Sequence, residues 1–149
     1  MFDWGDTLMV DTPGQTGPMC DWPTVQAVDG AKACLQRLSR FSPCHLATNA
    51  EDSTEMQIRL ALKRAGLSDY IQRIFCRENL GMGKTDADYY VAITEKLNVI
   101  PESITMVGDS LERDVQQAIK AGLKAVWFNP KNTQIQSNYT IITQLDKLI

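Results

Sequence analysis

Residues 103–128 read SITMVGDSLERDVQQAIKAGLKAVWF, and the fold turns on how this stretch divides. ITMV is a continuous apolar run that breaks into Gly108, Asp109 and Ser110, as a buried strand breaks at a polar loop. The next apolar residues, Leu111, Val115, Ala118 and Ile119, recur at three- and four-residue steps, which puts them on one helical face, and Gly122 supplies a stop. LKAVWF then begins a second apolar run at once. Strand, helix and strand in that order form the repeating unit of a parallel sheet.

The alternation continues outward in both directions. Val25, Val28, Ala31, Leu35 and Leu38 predict a helix over 24–40, and CHLAT after Ser42-Pro43 predicts a short buried strand. Ser53 or Thr54 can cap a helix through Arg64 that Gly66 closes in a left-handed conformation. RIFC predicts another strand, and 85–98 another helix with Ile93 and Leu97 facing inward. Pro130 ends LKAVWF, Thr140 to Ile142 predicts a further strand, and the tail DKLI predicts a final helical turn. Strands that are continuous apolar runs between helices imply an α/β fold: a three-layer, doubly wound parallel sheet with helices on both faces. In such sheets ligands bind beyond the carboxyl ends of the strands, which places Asp3, Thr48 and Asp109 on one edge.

The totals agree with one compact domain over 1–149: the length is 149 residues, 44% of them hydrophobic and 22% charged. A net charge of −3 with scattered basic residues disfavours nucleic acid and anionic membranes as partners. No apolar run approaches a membrane span and the N-terminus lacks signal-peptide character. The four cysteines form no CxxC pair, so reduced thiols and a cytoplasmic location are expected.

The polar groups at the strand ends suggest a chemistry. Asp3 follows Met1-Phe2, Thr48 and Asn49 follow HLA, and Asp109 follows TMVG; Asp114 lies five residues further on, where it can reach back, and Lys84 precedes a helix start. Carboxylate oxygens suit a hard divalent cation such as magnesium, while an ammonium and a hydroxyl suit a phosphate.

FDWGDTL, ATNA, the GK of GMGKTDADYY and VGDSLERD resemble the four ordered motifs of the haloacid dehalogenase superfamily, mostly magnesium-dependent phosphohydrolases. The resemblance implies Asp3 as a nucleophile that takes the phosphoryl group, with Thr48, Asn49 and Lys84 binding phosphate and Thr48 and Lys84 assisting catalysis. It implies Mg2+ held by Asp3, the Gly5 carbonyl, Asp109 and Asp114. Neither interval between motifs has room for a cap domain, so the site is expected to be uncapped and able to reach a phosphate on a large molecule. Val10 to Pro23, the one long irregular stretch, is a candidate flap. Oligomeric state is left open.

Two features depart from the family pattern. Gly5 stands where phosphatases carry a second aspartate as acid and base, a loss that typically costs ~10²–10⁴ in rate. Asp6 next door replaces it only if its side chain turns inward. Only Met1 and Phe2 precede Asp3, so the first strand reads as truncated. The competing expectation is therefore a catalytically weak or inactive domain that keeps metal and phosphate binding. LGMGKT ends like a nucleotide-binding loop but has Glu78 where that loop needs its first glycine. His45, Trp4, Trp22 and Trp127 are expected to pack rather than react.

Overall fold

A computed structural model describes residues 1–133 and 138–148. Its strands are β1 His45–Ala47, β2 Arg73–Phe75, β3 Thr105–Gly108, β4 Lys124–Phe128 and β5 Thr140–Ile142. All their pairings are parallel: Leu46 lies opposite Ile74, Val107 opposite Val126 and Trp127 opposite Ile141. One residue joins the two groups. Phe2 bridges in parallel to Leu46 on one side and Val107 on the other. Its N–H donates to the His45 carbonyl at 2.8 Å and its own carbonyl accepts from Ala47 at 2.8 Å. The sheet therefore runs β2, β1, Phe2, β3, β4, β5.

Neighbouring residues on a strand point to opposite faces, and two apolar clusters follow from that alternation. Phe2, Leu46, Ile74 and Val107 face one side, with Leu35 of α1 (Ala31–Leu38) and Ile58 and Leu62 of α2 (Glu55–Arg64). Ala47, Phe75 and Met106 face the other, with Tyr89, Tyr90 and Ile93 from the helix Tyr89–Leu97 and Ala118 from the helix Gln117–Lys120. Helices on both faces of a parallel sheet make the three layers expected from the alternation.

The capping expectation for α2 is met in detail. The Gln57 amide donates to the Thr54 hydroxyl at 3.2 Å, the Thr54 amide donates to the Gln57 side chain at 2.9 Å, and Gly66 closes the end at φ 72°. Two boundaries differ from the sequence reading. The helix read over 24–40 starts only at Ala31, because Gly30 is left-handed (φ 81°) and Ala27 pairs antiparallel with Met9. The helix read over 85–98 starts only at Tyr89, because the chain turns over Gly83 to Tyr89, with the Asp86 amide bonded to the Gly83 carbonyl at 3.0 Å and the Tyr89 amide to that of Asp86 at 3.2 Å; it is α4, since a short α3 (Arg77–Leu80) precedes it and ends at Gly81. A π-helical segment, Leu111–Gln116, leads into α5 (Gln117–Lys120). The tail forms a 3-10 turn at Leu145–Lys147; Ile149 lies outside the described residues.

The stretch from Val10 to Pro23, the candidate flap, is tied down at both ends. The Val10 amide donates to Gln26 at 2.9 Å, closing its base, and the Arg64 guanidinium of α2 donates to the carbonyls of Cys20 (2.9 Å) and Trp22 (2.6 Å). No helix among the described residues is long and apolar enough to cross a membrane.

Candidate active site

The chain leaves the sheet just after Phe2, and Asp3 is fixed there by its own amide, which donates to the Val107 carbonyl at 2.9 Å. Thr48 and Asp109 follow β1 and β3, so all three stand at the carboxyl edge as the topology requires. Lys84 reaches the same point from the loop before α4. Its Nζ lies 2.5 Å from Asp3 Oδ1 and 2.7 Å from Asp114 Oδ1, and the residue is only 1% exposed. Burial alone would drive off the lysine proton, but Asp3 and Asp114 hold it well above its ordinary range. The ammonium is a fixed positive charge beside Asp3.

Two close approaches explain local glycines. Asp114 reaches back from the π-helical segment until its carboxylate packs on Gly108, and a methyl group on Gly108 would overlap it. The Ser110 amide donates to Asp114 Oδ2 at 3.0 Å and holds it there. A methyl group on Gly83 would lie 2.6 Å from both the Arg77 guanidinium and Asn49 Oδ1. Gly83 thus lets the Asn49 side chain accept the Lys84 backbone amide at 2.9 Å and Arg77 Nη2 at 3.1 Å. Asn49, read from sequence as a phosphate ligand, has its side-chain oxygen engaged in positioning Lys84. The Thr48 hydroxyl accepts the Ala50 amide at 3.1 Å, which leaves its O–H proton to be donated.

Asp3, Asp109 and Asp114 each offer an oxygen, and these oxygens lie within 4.8 Å of one another. Burial and then the charge of Asp3 push both Asp109 and Asp114 above the ordinary carboxylate range, with Lys84 opposing the rise at Asp114. Crowded oxygen donors of like charge are what a hard divalent cation relieves, so the donor set fits magnesium. Gly5 lies on the wall of the same cleft, whose volume is about 330 Å³ and which also exposes Asp3, Thr48, Asn49, Asp109 and Arg113. Lys84 and Asp114 lie beneath its floor.

Two residues were missed by the sequence reading. Thr7 is fully buried, its hydroxyl 3.1 Å from Asp3 Oδ2 and 3.3 Å from Asp109 Oδ1, while the Asp109 amide donates back to it at 3.2 Å. The hint was present: Thr7 is the only hydroxyl in FDWGDTL. Asp11 lines the cleft, and burial followed by the charges of Asp6 and Asp3 raises its pKa. Asp6 adopts a left-handed backbone (φ 57°) and accepts the Asp11 amide at 3.0 Å with its Oδ1.

Such a site can present one carboxylate, flanked by a lysine and hydroxyls, to an anion at the mouth of an acidic, metal-compatible cleft. Comparison with known proteins points the same way. The sequence profile of haloacid dehalogenase-like hydrolases matches residues 19–122, a span that contains Thr48, Lys84, Asp109 and Asp114 and begins beyond Asp3. A pyrimidine 5'-nucleotidase of Streptococcus pneumoniae is 33% identical over 129 residues, covering 83% of this chain and 53% of that one. The chain thus spans about half the length of that curated relative. A Bacillus subtilis HAD-hydrolase solved with magnesium bound superimposes with a TM-score of 0.71 at 27% identity, over 82% of this chain and 53% of that one. An uncharacterized Listeria monocytogenes protein shares the fold over 99% of this chain and 92% of its own, with a TM-score of 0.85 at 22% identity. With its parallel sheet, its strand-end acids and a profile match across most of its length, the chain belongs to the haloacid dehalogenase-like hydrolases.

Proposed function

We propose that the chain is a magnesium-dependent phosphohydrolase that works through a phosphoryl-aspartate on Asp3. The observation that carries this reading is the environment of Asp3: a carboxylate at a cleft floor, 2.5 Å from a buried ammonium and within ligand distance of Asp109 and Asp114. The phosphatase and nucleotidase names of the relatives support the reaction class.

In this reading Asp3 attacks the phosphorus and the ester oxygen departs; water then cleaves the acyl phosphate, giving inorganic phosphate and the free carboxylate. Lys84 offsets charge on Asp3 and on the phosphoryl oxygens, and Thr48 donates to one of those oxygens. Thr7 bridges Asp3 and Asp109, which fixes the attacking carboxylate. Asp3, Asp109, Asp114 and the Gly5 carbonyl would hold magnesium, which supplies positive charge to the transferring group when bound.

The partner is a phosphorylated substrate, and an uncapped cleft allows that phosphate to be carried by a large molecule. Free thiols at Cys20, Cys34, Cys44 and Cys76 support a cytoplasmic setting. A second reading, a domain that binds metal and phosphate with little turnover, is favoured by one observation: position 5 has no carboxylate. The deciding experiment is hydrolysis of an aryl phosphate with magnesium and with chelator, by wild type and by Asp3→Asn. Magnesium-dependent turnover that drops at least a thousandfold in the variant, roughly 4 kcal/mol of barrier, is expected. Equal rates in the two proteins would end the phosphoryl-aspartate reading.

A further inference from the structure

Ester cleavage through Asp3 leaves two proton transfers to be made: one to the departing oxygen, one from the attacking water. The three clustered acids are poorly placed for either. Asp3 and Asp114 bond to Lys84, and Asp109 is bonded to Thr7. The other carboxylates on the cleft are Asp6, Asp11, Glu51 and Asp52. Glu51 lies 3.4 Å from the Arg77 guanidinium, and Asp52 is its neighbour in sequence. Asp6 spends an oxygen on the Asp11 amide.

Asp11 differs from these. A methyl group added to Gly5 would lie 3.6 Å from the Asp11 Cβ and 3.7 Å from its Oδ2. The space that a side chain at position 5 would enter, two residues after Asp3, is therefore bordered by a carboxylate arriving from further along the chain. That arrival is built into the backbone. Gly5 and Met9 pair, Met9 pairs with Ala27, the Val10 amide is bonded to Gln26, and Asp6 holds the Asp11 amide from its left-handed position. Glycine at position 5 leaves the room that Asp11 uses.

We propose that Asp11 is the proton-transfer residue of this site, acid in the first step and base in the second. The proposal rests on the phosphoryl-aspartate reading given above. As Asp3 forms its bond to phosphorus, the bond from phosphorus to the ester oxygen breaks and the Asp11 carboxyl gives that oxygen its proton. The resulting Asp11 carboxylate then takes a proton from water, whose oxygen bonds to phosphorus as the Asp3–phosphorus bond breaks. Asp11 ends protonated, as it began, and the products are an alcohol and inorganic phosphate.

The test compares wild type, Asp11→Asn, Asp3→Asn and the double variant Gly5→Asp with Asp11→Asn, all with magnesium. Two probes are used: phenyl phosphate, whose phenoxide leaves poorly without a proton, and dinitrophenyl phosphate, whose leaving group needs none. The first-turnover release of each phenol is read by rapid mixing, and phosphoenzyme is trapped by acid quench. Asp11→Asn is expected to slow phenol release from phenyl phosphate by ~10²–10⁴-fold while sparing the first release of dinitrophenol. Phosphoenzyme should then accumulate with the second probe, because water lacks its base. Gly5→Asp, whose Cβ would meet residue 11 at ordinary contact distance, is expected to restore at least tenfold of the lost phenyl phosphate rate. Wild-type rates in Asp11→Asn, or an equal first-turnover loss on both esters, overturn the Asp11 assignment and leave Asp3 standing. Activity that survives in Asp3→Asn, or no turnover of either ester by folded wild type, instead removes the phosphoryl-aspartate reading and the Asp11 proposal with it.

Discussion

At the scale of single residues, the site is a charge problem solved in part. Three carboxylates crowd within 4.8 Å, and a single ammonium touches two of them. Asp109, held above its ordinary range by burial and by Asp3, is the one Lys84 does not reach within ion-pair distance. A group whose folded pKa is raised stabilises least once the pH has passed that pKa. At pH 8, above the raised values of about 7 for Asp109 and about 6 for Asp114, Asp109→Asn should therefore raise the melting temperature of the metal-free protein. Magnesium should reverse the ranking: millimolar Mg2+ is expected to stabilise wild type by mass action and to stabilise the variant far less. Thermal melts of both proteins with and without magnesium check this, and a fall in the metal-free melting temperature of Asp109→Asn would argue against the crowding. Asp3, Thr48, Lys84, Asp109 and Asp114 were legible in the sequence because each stands at a strand end, before a helix or, for Asp114, in the helical turns after β3, within a recognisable motif. Thr7 and Asp11 were not, because their positions near the cluster depend on the tight turn from Trp4 to Met9.

At the scale of elements, legibility followed local chemistry. The cap and stop of α2 were readable because Thr54, Gln57 and Gly66 act within a few residues of each other. Replacing Thr54 with alanine should cost about 1 kcal/mol, measured by urea unfolding, since two backbone donors lose their organised partners. An unchanged midpoint would mean that packing of Ile58, Ala61 and Leu62 alone holds the helix. The start of α1 was misread because Val25 and Val28 continue its apolar periodicity, while a long-range pairing of Ala27 with Met9 claims that segment for an extended course. Hydrophobic period cannot register a partner that far away in sequence. A different reason hid α3: four residues carry too little pattern, and what holds it is the Asn79 side chain bonded to the Cys76 amide and the Ile74 carbonyl.

At the scale of the whole molecule, the alternating apolar runs specified the layers and the parallel sheet, since a strand buried on both faces has few other homes. They did not specify how the sheet is joined across its middle. That joint is Phe2, which bridges β1 and β3, is 2% exposed and packs in the cluster with α1 and α2. Phe2→Ala is expected to cost about 3–5 kcal/mol, read as a lowered urea midpoint. A loss under 1 kcal/mol would show that the helices alone hold the halves together. Local opening of this seam should have its own free energy, below that of global unfolding. Amide exchange then becomes a readout: the Phe2, Asp3, Ala47 and Val107 amides, which span the seam, should exchange together and ahead of those between β3 and β4. Because Asp3 is the next residue, every such opening carries its carboxylate away from Lys84. If Asp3 reacts as proposed, the protein is subject to a breathing tax: the fraction of time that the seam is shut sets a ceiling on the fraction of molecules able to react, and warming should lower activity before it lowers helix content.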